Sequence, residues 1–338
     1  MIQIRDFRLL LIFAMLILTA SAGCSRKDNT MEAEKSLAQA DSLFRAEDFE
    51  KAKSAYQDAA TAAEKAGDKS VLAESYAQIA RCYLKNDNLE DGRGWLAKAA
   101  GVATEELPNG WSRYLGVKGR FEWRETALKT HELNPVVESA AKTFREMYAY
   151  CEAHGLHERA VDAANMMSIV GSGDEKIDWG LKGIESAEKG NLTGWLGPLW
   201  NNLGWNYDDI GDNKKALEAL KTAREYHYKN EKIIPRLAAD WGVGMQFRKT
   251  GQVDSARAII AEMSSKAESV YTDKPTPEHA EWVGLAWREM GEIELISDGK
   301  AKALEYFRKA KSKLEEAHMP DWDAKGYSEL SKKIEELE

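Results

Sequence analysis

A small residue followed at fixed distances by bulky apolar ones recurs about every forty residues along this chain, and that recurrence restricts the fold more than any other feature. The clearest copy holds Trp200, Leu203, Gly204, Tyr207, Gly211, Ala216, Leu220 and Ala223. Gly244, Phe247, Gly251, Ala256 and Ile260 repeat its internal spacings forty residues later. Near the start come Ala40, Leu43, Ala52, Tyr56 and Ala59, then Ala80, Tyr83, Gly92, Leu96 and Ala99. Near the end, Trp287, Met290, Gly291, Ala303, Phe307 and Ala310 fit the same frame. Two middle copies are degenerate. One runs from about Asn109 to Tyr150 with Ala140 and Phe144, the other from about His157 to Lys189 with Ala164.

Trp200, Leu203 and Tyr207 lie on one face of a helix, and Gly204 and Ala216 let two helices approach closely. Gly211 ends the first helix, because glycine takes the left-handed conformation at little cost. From Met31 onward no strand-like alternation or hairpin signal interrupts the helical pattern. The seven prolines (Pro108, Pro135, Pro198, Pro235, Pro275, Pro277 and Pro320) are expected between helices or at their first positions, and none inside one. The last segment, from about Trp322 to Leu337, is polar on one side, as a closing helix should be.

The Trp200–Ala223 copy resembles the tetratricopeptide repeat, whose pattern is W-x2-L-G-x2-Y, a turn glycine, then A-x3-F and a further alanine; Leu220 stands in place of the aromatic. The resemblance covers about residues 32–311. It implies an all-α, right-handed α-solenoid of about seven helix pairs plus a C-terminal capping helix over residues 32–338. It also implies a concave groove that holds extended segments of partner proteins. Carried over by register, the groove positions are Arg81, Leu84 and Lys85, then Asn201, Trp205, Asp208 and Asp209. Trp241, Met245, Arg248 and Lys249 follow, and finally Arg288 and Glu292. Trp200 and Trp287 occupy the family's packing position, whereas Trp205 and Trp241 do not. Aromatic, amide and basic groups from Asn201 to Lys249 would suit a partner segment with an apolar anchor and a carboxylate.

Residues 1–23 read as a leader peptide. Arg5 and Arg8 precede an apolar run from Leu9 to Ala20, too short to span a bilayer, and Ser21, Ala22 and Gly23 lead into Cys24. The arrangement resembles a bacterial lipobox, with Ser21 where leucine is usual. It implies lipid attachment at Cys24, a tether over 24–31 and an anchored protein. Ser25 is not the aspartate that holds such proteins in an inner membrane. The expected address is therefore the outer membrane, facing the periplasm.

A net charge of −9 argues against nucleic acid as a partner, since binding phosphates calls for a basic face. No G-x-S-x-G, P-loop, H-E-x-x-H or C-x-x-C motif occurs, so no catalytic residue, metal site or cofactor is expected. His154 and His157 fall in a turn without a third ligand, and Cys82 and Cys151 read as small packed thiols. Asp208 and Asp209 read as the polar face before Gly211. The expected function is a membrane-anchored interaction scaffold or assembly factor of a bacterial envelope; the alternative is a solute-binding lipoprotein using the groove as a pocket.

Overall fold

The computed structural model describes residues 29–130, 135–229 and 232–338. Cys24 and the leader lie outside the described residues. Among those described, every regular element is a helix. In chain order they are α1 (29–45), α2 (Phe49–Ala66), α3 (Lys69–Lys85), α4 (Leu89–Ala100), α5 (Pro108–Thr130) and α6 (Glu138–Ala153). Then come α7 (His157–Val170), α8 (Glu175–Lys189), α9 (Thr193–Asp209), α10 (Asn213–His227) and α11 (Ile233–Lys249). The last are α12 (Val253–Asp273), α13 (Pro277–Ile296), α14 (Lys300–Glu316), α15 (Met319–Trp322) and α16 (Ala324–Leu337). Among the described helices, α3 with α4, α9 with α10, α11 with α12 and α13 with α14 pack as pairs expected from the repeat, and the fold class is an all-α solenoid. Two compact units are present. The first is the chain to Phe121 with Ala149–Arg159; the second is Glu122–Tyr148 with Ala160–Glu338.

The frame of the repeat has a steric cause. A Cβ on Gly204 would lie 2.5 Å from Leu220 Cγ, and one on Gly291 would lie 2.5 Å from Phe307 Cε1. A Cβ on Gly244 would run into Ile260 in the same way. In each case a bulky residue of the second helix fills the space that the missing side chain leaves on the first. Leu220, Ile260 and Phe307 are all fully buried, as is Tyr56 in the first unit.

The turn between paired helices is equally regular. Gly211 and Gly251 are left-handed, each with φ of 79°. The same place in other repeats is taken by Glu47 (φ 64°), Asp87 (φ 54°) and Asp298 (φ 56°). Aspartate tolerates this conformation better than most side chains. The helix that follows starts from a side-chain cap in several repeats: Asp48, Asn88 and Asp212 accept a backbone N–H of α2, α4 and α10 respectively.

Buried polar networks fix the packing inside each unit. In the first, Asp41 accepts hydrogen bonds from Tyr56 Oη (2.5 Å), Gln78 Nε2 (3.2 Å) and Arg113 (2.9 Å). Burial pushes the Asp41 carboxyl up, but the Arg113 charge and these donors outweigh it and hold the group below its ordinary range. In the second unit, buried Asp240 accepts from Arg224 Nε and Tyr228 Oη, each at 2.5 Å, with Lys266 Nζ at 3.5 Å.

Three expectations need correction. Pro198 lies inside α9 rather than at its boundary. Its missing N–H leaves the carbonyl of Gly194 without a helical donor, and both residues are exposed, so water can serve that oxygen. The closing helix is α16, starting at Ala324 under an Asp323 cap, after the separate short α15. And α1 already includes residues 29–31, part of the stretch read as a tether.

Candidate functional site

In the second unit the first helices of successive pairs, α9, α11 and α13, are joined to each other and to α16 by a ladder of ion pairs. Asp208 on α9 accepts from Lys249 Nζ (2.6 and 2.8 Å) and from Gln246 Nε2 (2.7 Å) on α11. Arg248 on α11 donates through two nitrogens to both carboxylate oxygens of Glu289 on α13, the NH2 contact at 3.1 Å. Glu292 on α13 accepts from Lys333 on α16, and Arg288 lies 3.8 Å from Glu329. The Asp208–Lys249, Arg248–Glu289 and Glu292–Lys333 pairs each join residues forty-one apart.

Beside this ladder Trp205 and Trp241 meet, their ring centroids 5.3 Å apart and their planes at 37°. Gly242 makes the approach possible, since a Cβ there would stand 3.3 Å from the Trp205 ring. Both indoles are half-buried. Trp205 packs on the cluster of Leu217, Leu220 and Val243, and Trp241 on clusters that include Val283 and Leu285. Asn201, half-buried, stands one turn before Trp205 on α9.

Of the groove residues expected from sequence, this face brings together Asn201, Trp205, Asp208, Trp241, Arg248, Lys249, Arg288 and Glu292. Three of the expected groove residues of this unit, Met245, Arg248 and Asp208, have a role different from the one expected. Met245 is buried and contributes packing, because the neighbouring helices close over its position on α11. Arg248 does not wait for a partner's carboxylate: Glu289, only 4% exposed, already engages its guanidinium. Asp208 is bound to Lys249 and Gln246. Arg81 and Lys85 belong to the first unit, one turn apart on α3. The Arg81 guanidinium sits 4.8 Å over the Phe44 ring. The crowding of surrounding chain, with the charges of Arg81 and Arg120, lowers the Lys85 ammonium below the ordinary lysine range. Cys82 and Cys151 are both buried and unoxidised, and burial pushes the Cys82 thiol up to about 12.

One residue of the face escaped the sequence reading. Glu281 on α13 shares a helical line with Arg288 and Glu292, seven and eleven residues on. It is half-buried and makes no hydrogen bond or ion pair with a described residue. Burial, with the charge of Glu278 added, raises its carboxyl to about 7. The signal was available: extending the inner-face register two turns from Arg288 toward the start of α13 reaches it.

This shift has a measurable consequence. Between about pH 4.5 and 7 the folded chain keeps a proton that the unfolded chain has released, so stability falls as pH rises through that window. Glu281→Gln is expected to remove this slope. The variant should exceed the parent at pH 8 by about 1–2 kcal/mol, the carboxyl keeping part of its surface in water, and match it below pH 4.5. Denaturant melts at pH 4.5, 6 and 8 check it; equal slopes for both proteins would contradict it.

A separate cleft of about 660 Å³ is lined in part by Pro198, Tyr226, His227 and Pro235. Burial lowers the imidazole of His227, which therefore stays neutral at physiological pH.

Residues 197–225, from α9 into α10, match the tetratricopeptide repeat family model. No curated protein matches the sequence. Solved structures match the fold. A signal-transduction ATPase with numerous domains and a tetratricopeptide repeat sensor, from Pyrococcus horikoshii, superposes with a TM-score of 0.60 at 14% identity. That match covers 90% of this chain and 44% of the other, so the chain spans less than half the length of that protein. A Rap protein complexed with Competence and Sporulation Factor gives 0.59 at 14% identity, covering 90% of this chain and 85% of the other. A tetratricopeptide repeat protein from Parabacteroides merdae gives 0.50 at 14%, covering 90% and 98%. At such identity the likeness is one of fold.

Proposed function

We propose that this tetratricopeptide-repeat protein is a scaffold that holds an extended segment of another protein against the face formed by α9, α11 and α13, and that it does so from a membrane surface. The observation that carries the reading is the Trp205–Trp241 pair, two half-buried indoles side by side on helices whose neighbouring charges are already matched. Such a face offers half-buried aromatic area against which a partner's side chain can lie. A Rap protein of similar fold is known in complex with a factor, which gives the reading a precedent in fold alone.

The partner-holding reading is tested by Trp205→Ala, expected to lose the proteins that co-purify with the parent from detergent-solubilised membranes. Retention of the same partner bands by a folded variant would move the binding surface elsewhere on the chain. The cleft beside Tyr226 and His227, of a size that small molecules fill, favours a solute as ligand instead.

Anchoring rests on the leader and Cys24, and the envelope role and outer-membrane address follow from it. Replacing Cys24 with alanine is expected to move the protein from the membrane fraction to the soluble one and to abolish incorporation of labelled palmitate. If the parent takes up no palmitate and the variant stays with membranes, the anchor is not at Cys24.

A further inference from the structure

The ladder fixes the level of every residue on the α9–α11–α13 face. With Arg248 opposite Glu289, Glu281 stands level with Asp240 and Trp241 on α11. Packing agrees: Trp241 lies against the cluster that contains Leu285, one turn beyond Glu281. Trp205 stands more than a turn further along, level with Gln246, and its ring reaches back to Trp241, so Trp205, Trp241 and Glu281 form a diagonal row across three neighbouring helices. Asp208, Lys249, Arg248, Glu289, Glu292 and Lys333 are spent on the ladder, whereas Glu281, like the exposed Asp209 on α9, has no described partner in it. Glu278, three residues before, adds a second negative charge at the same end of α13.

We propose that this row receives a lysine or arginine side chain of the partner segment, the cation resting on the indoles with its charge against the Glu281 carboxylate. The inference deepens the scaffold reading and rests on it. Its chemistry is that of a cation over aromatic faces joined to a charge-assisted hydrogen bond. The chain uses the first half of that arrangement elsewhere: Lys182 Nζ sits 4.4 Å from the Trp179 ring centre and 4.3 Å from that of Tyr148. A carboxylate that is half-desolvated beside a second acid gains most from an arriving cation. The sign is opposite to the one read from sequence, where Arg248 was to receive a carboxylate. Glu289 occupies Arg248, so the unsatisfied charge on this face is negative.

The test uses the full chain in detergent and four labelled twelve-residue peptides, alike except for a central Arg, Lys, Gln or Glu between leucines, read by fluorescence anisotropy. The Arg and Lys peptides should bind about tenfold tighter than the Gln and Glu peptides, the worth of one charge-assisted contact. Glu281→Gln should erase the preference, and Glu281→Lys should turn it toward the Glu peptide. Circular dichroism confirms that each variant is folded. A preference that survives unchanged in both variants overturns the inference and leaves the scaffold reading standing. Failure of the parent to bind any of the four peptides counts against both.

Discussion

A chain carrying Gly204→Leu is expected to be the least stable of the single variants considered, below the parent by about 3 kcal/mol or slightly more. The added Cβ would come within 2.5 Å of Leu220 Cγ and 3.3 Å of Leu220 N, so a side-chain rotation cannot relieve the clash. The two helices of the pair must separate, and that opens the buried cluster of Leu217, Leu220 and Val243 beneath Trp205. The thermal midpoint should drop by roughly 5–10 °C. Gly194→Leu on the same helix is the control, since nothing lies within 4 Å of its would-be Cβ. It should melt within a degree or two of the parent. Equal midpoints for the two variants would show that close approach at the small position does not hold the pairs together.

That small position is also why the fold was legible in the sequence. Steric exclusion acts at one place per repeat and leaves its mark as Gly204, Gly244 and Gly291, with Leu220, Ile260 and Phe307 following at a constant distance. The turn was half legible. Gly211 and Gly251 advertise a left-handed residue, whereas Glu47, Asp87 and Asp298 take up the same conformation without a glycine to announce it. Their cost is carried by the packing of the flanking helices, which composition does not display. Pro198 was misplaced because the rule against proline within a helix weighs most where the lost hydrogen bond is buried, and on this exposed side of α9 water can serve the Gly194 carbonyl that loses its donor.

The face of the second unit was legible as a register, and its chemistry was not. Counting from Gly204 and Gly244 puts Trp205 and Trp241 on the right helices, and the indoles do meet. Counting does not reveal which charges are already satisfied. The stride of forty-one residues that joins Asp208 to Lys249 and Arg248 to Glu289 emerges only once the helices are side by side. It ties up the cation that the sequence offered to a partner and leaves acidic groups, the half-buried Glu281 among them, without one among the described residues. In the first unit, the network around Asp41 draws Tyr56, Gln78 and Arg113 from three different helices, at separations no local pattern encodes.

The central claim is that a partner lies on the α9–α11–α13 face, and a photoreactive amino acid placed at single positions tests it most directly. Asn201, one turn from Trp205, is the inner position; Glu218, exposed on α10, is the outer one. Irradiation of cells should yield a discrete crosslinked band from position 201 that disappears when Trp205→Ala is added, and none from position 218. A band from position 218 with none from position 201, or bands at 201 indifferent to Trp205, would contradict the account.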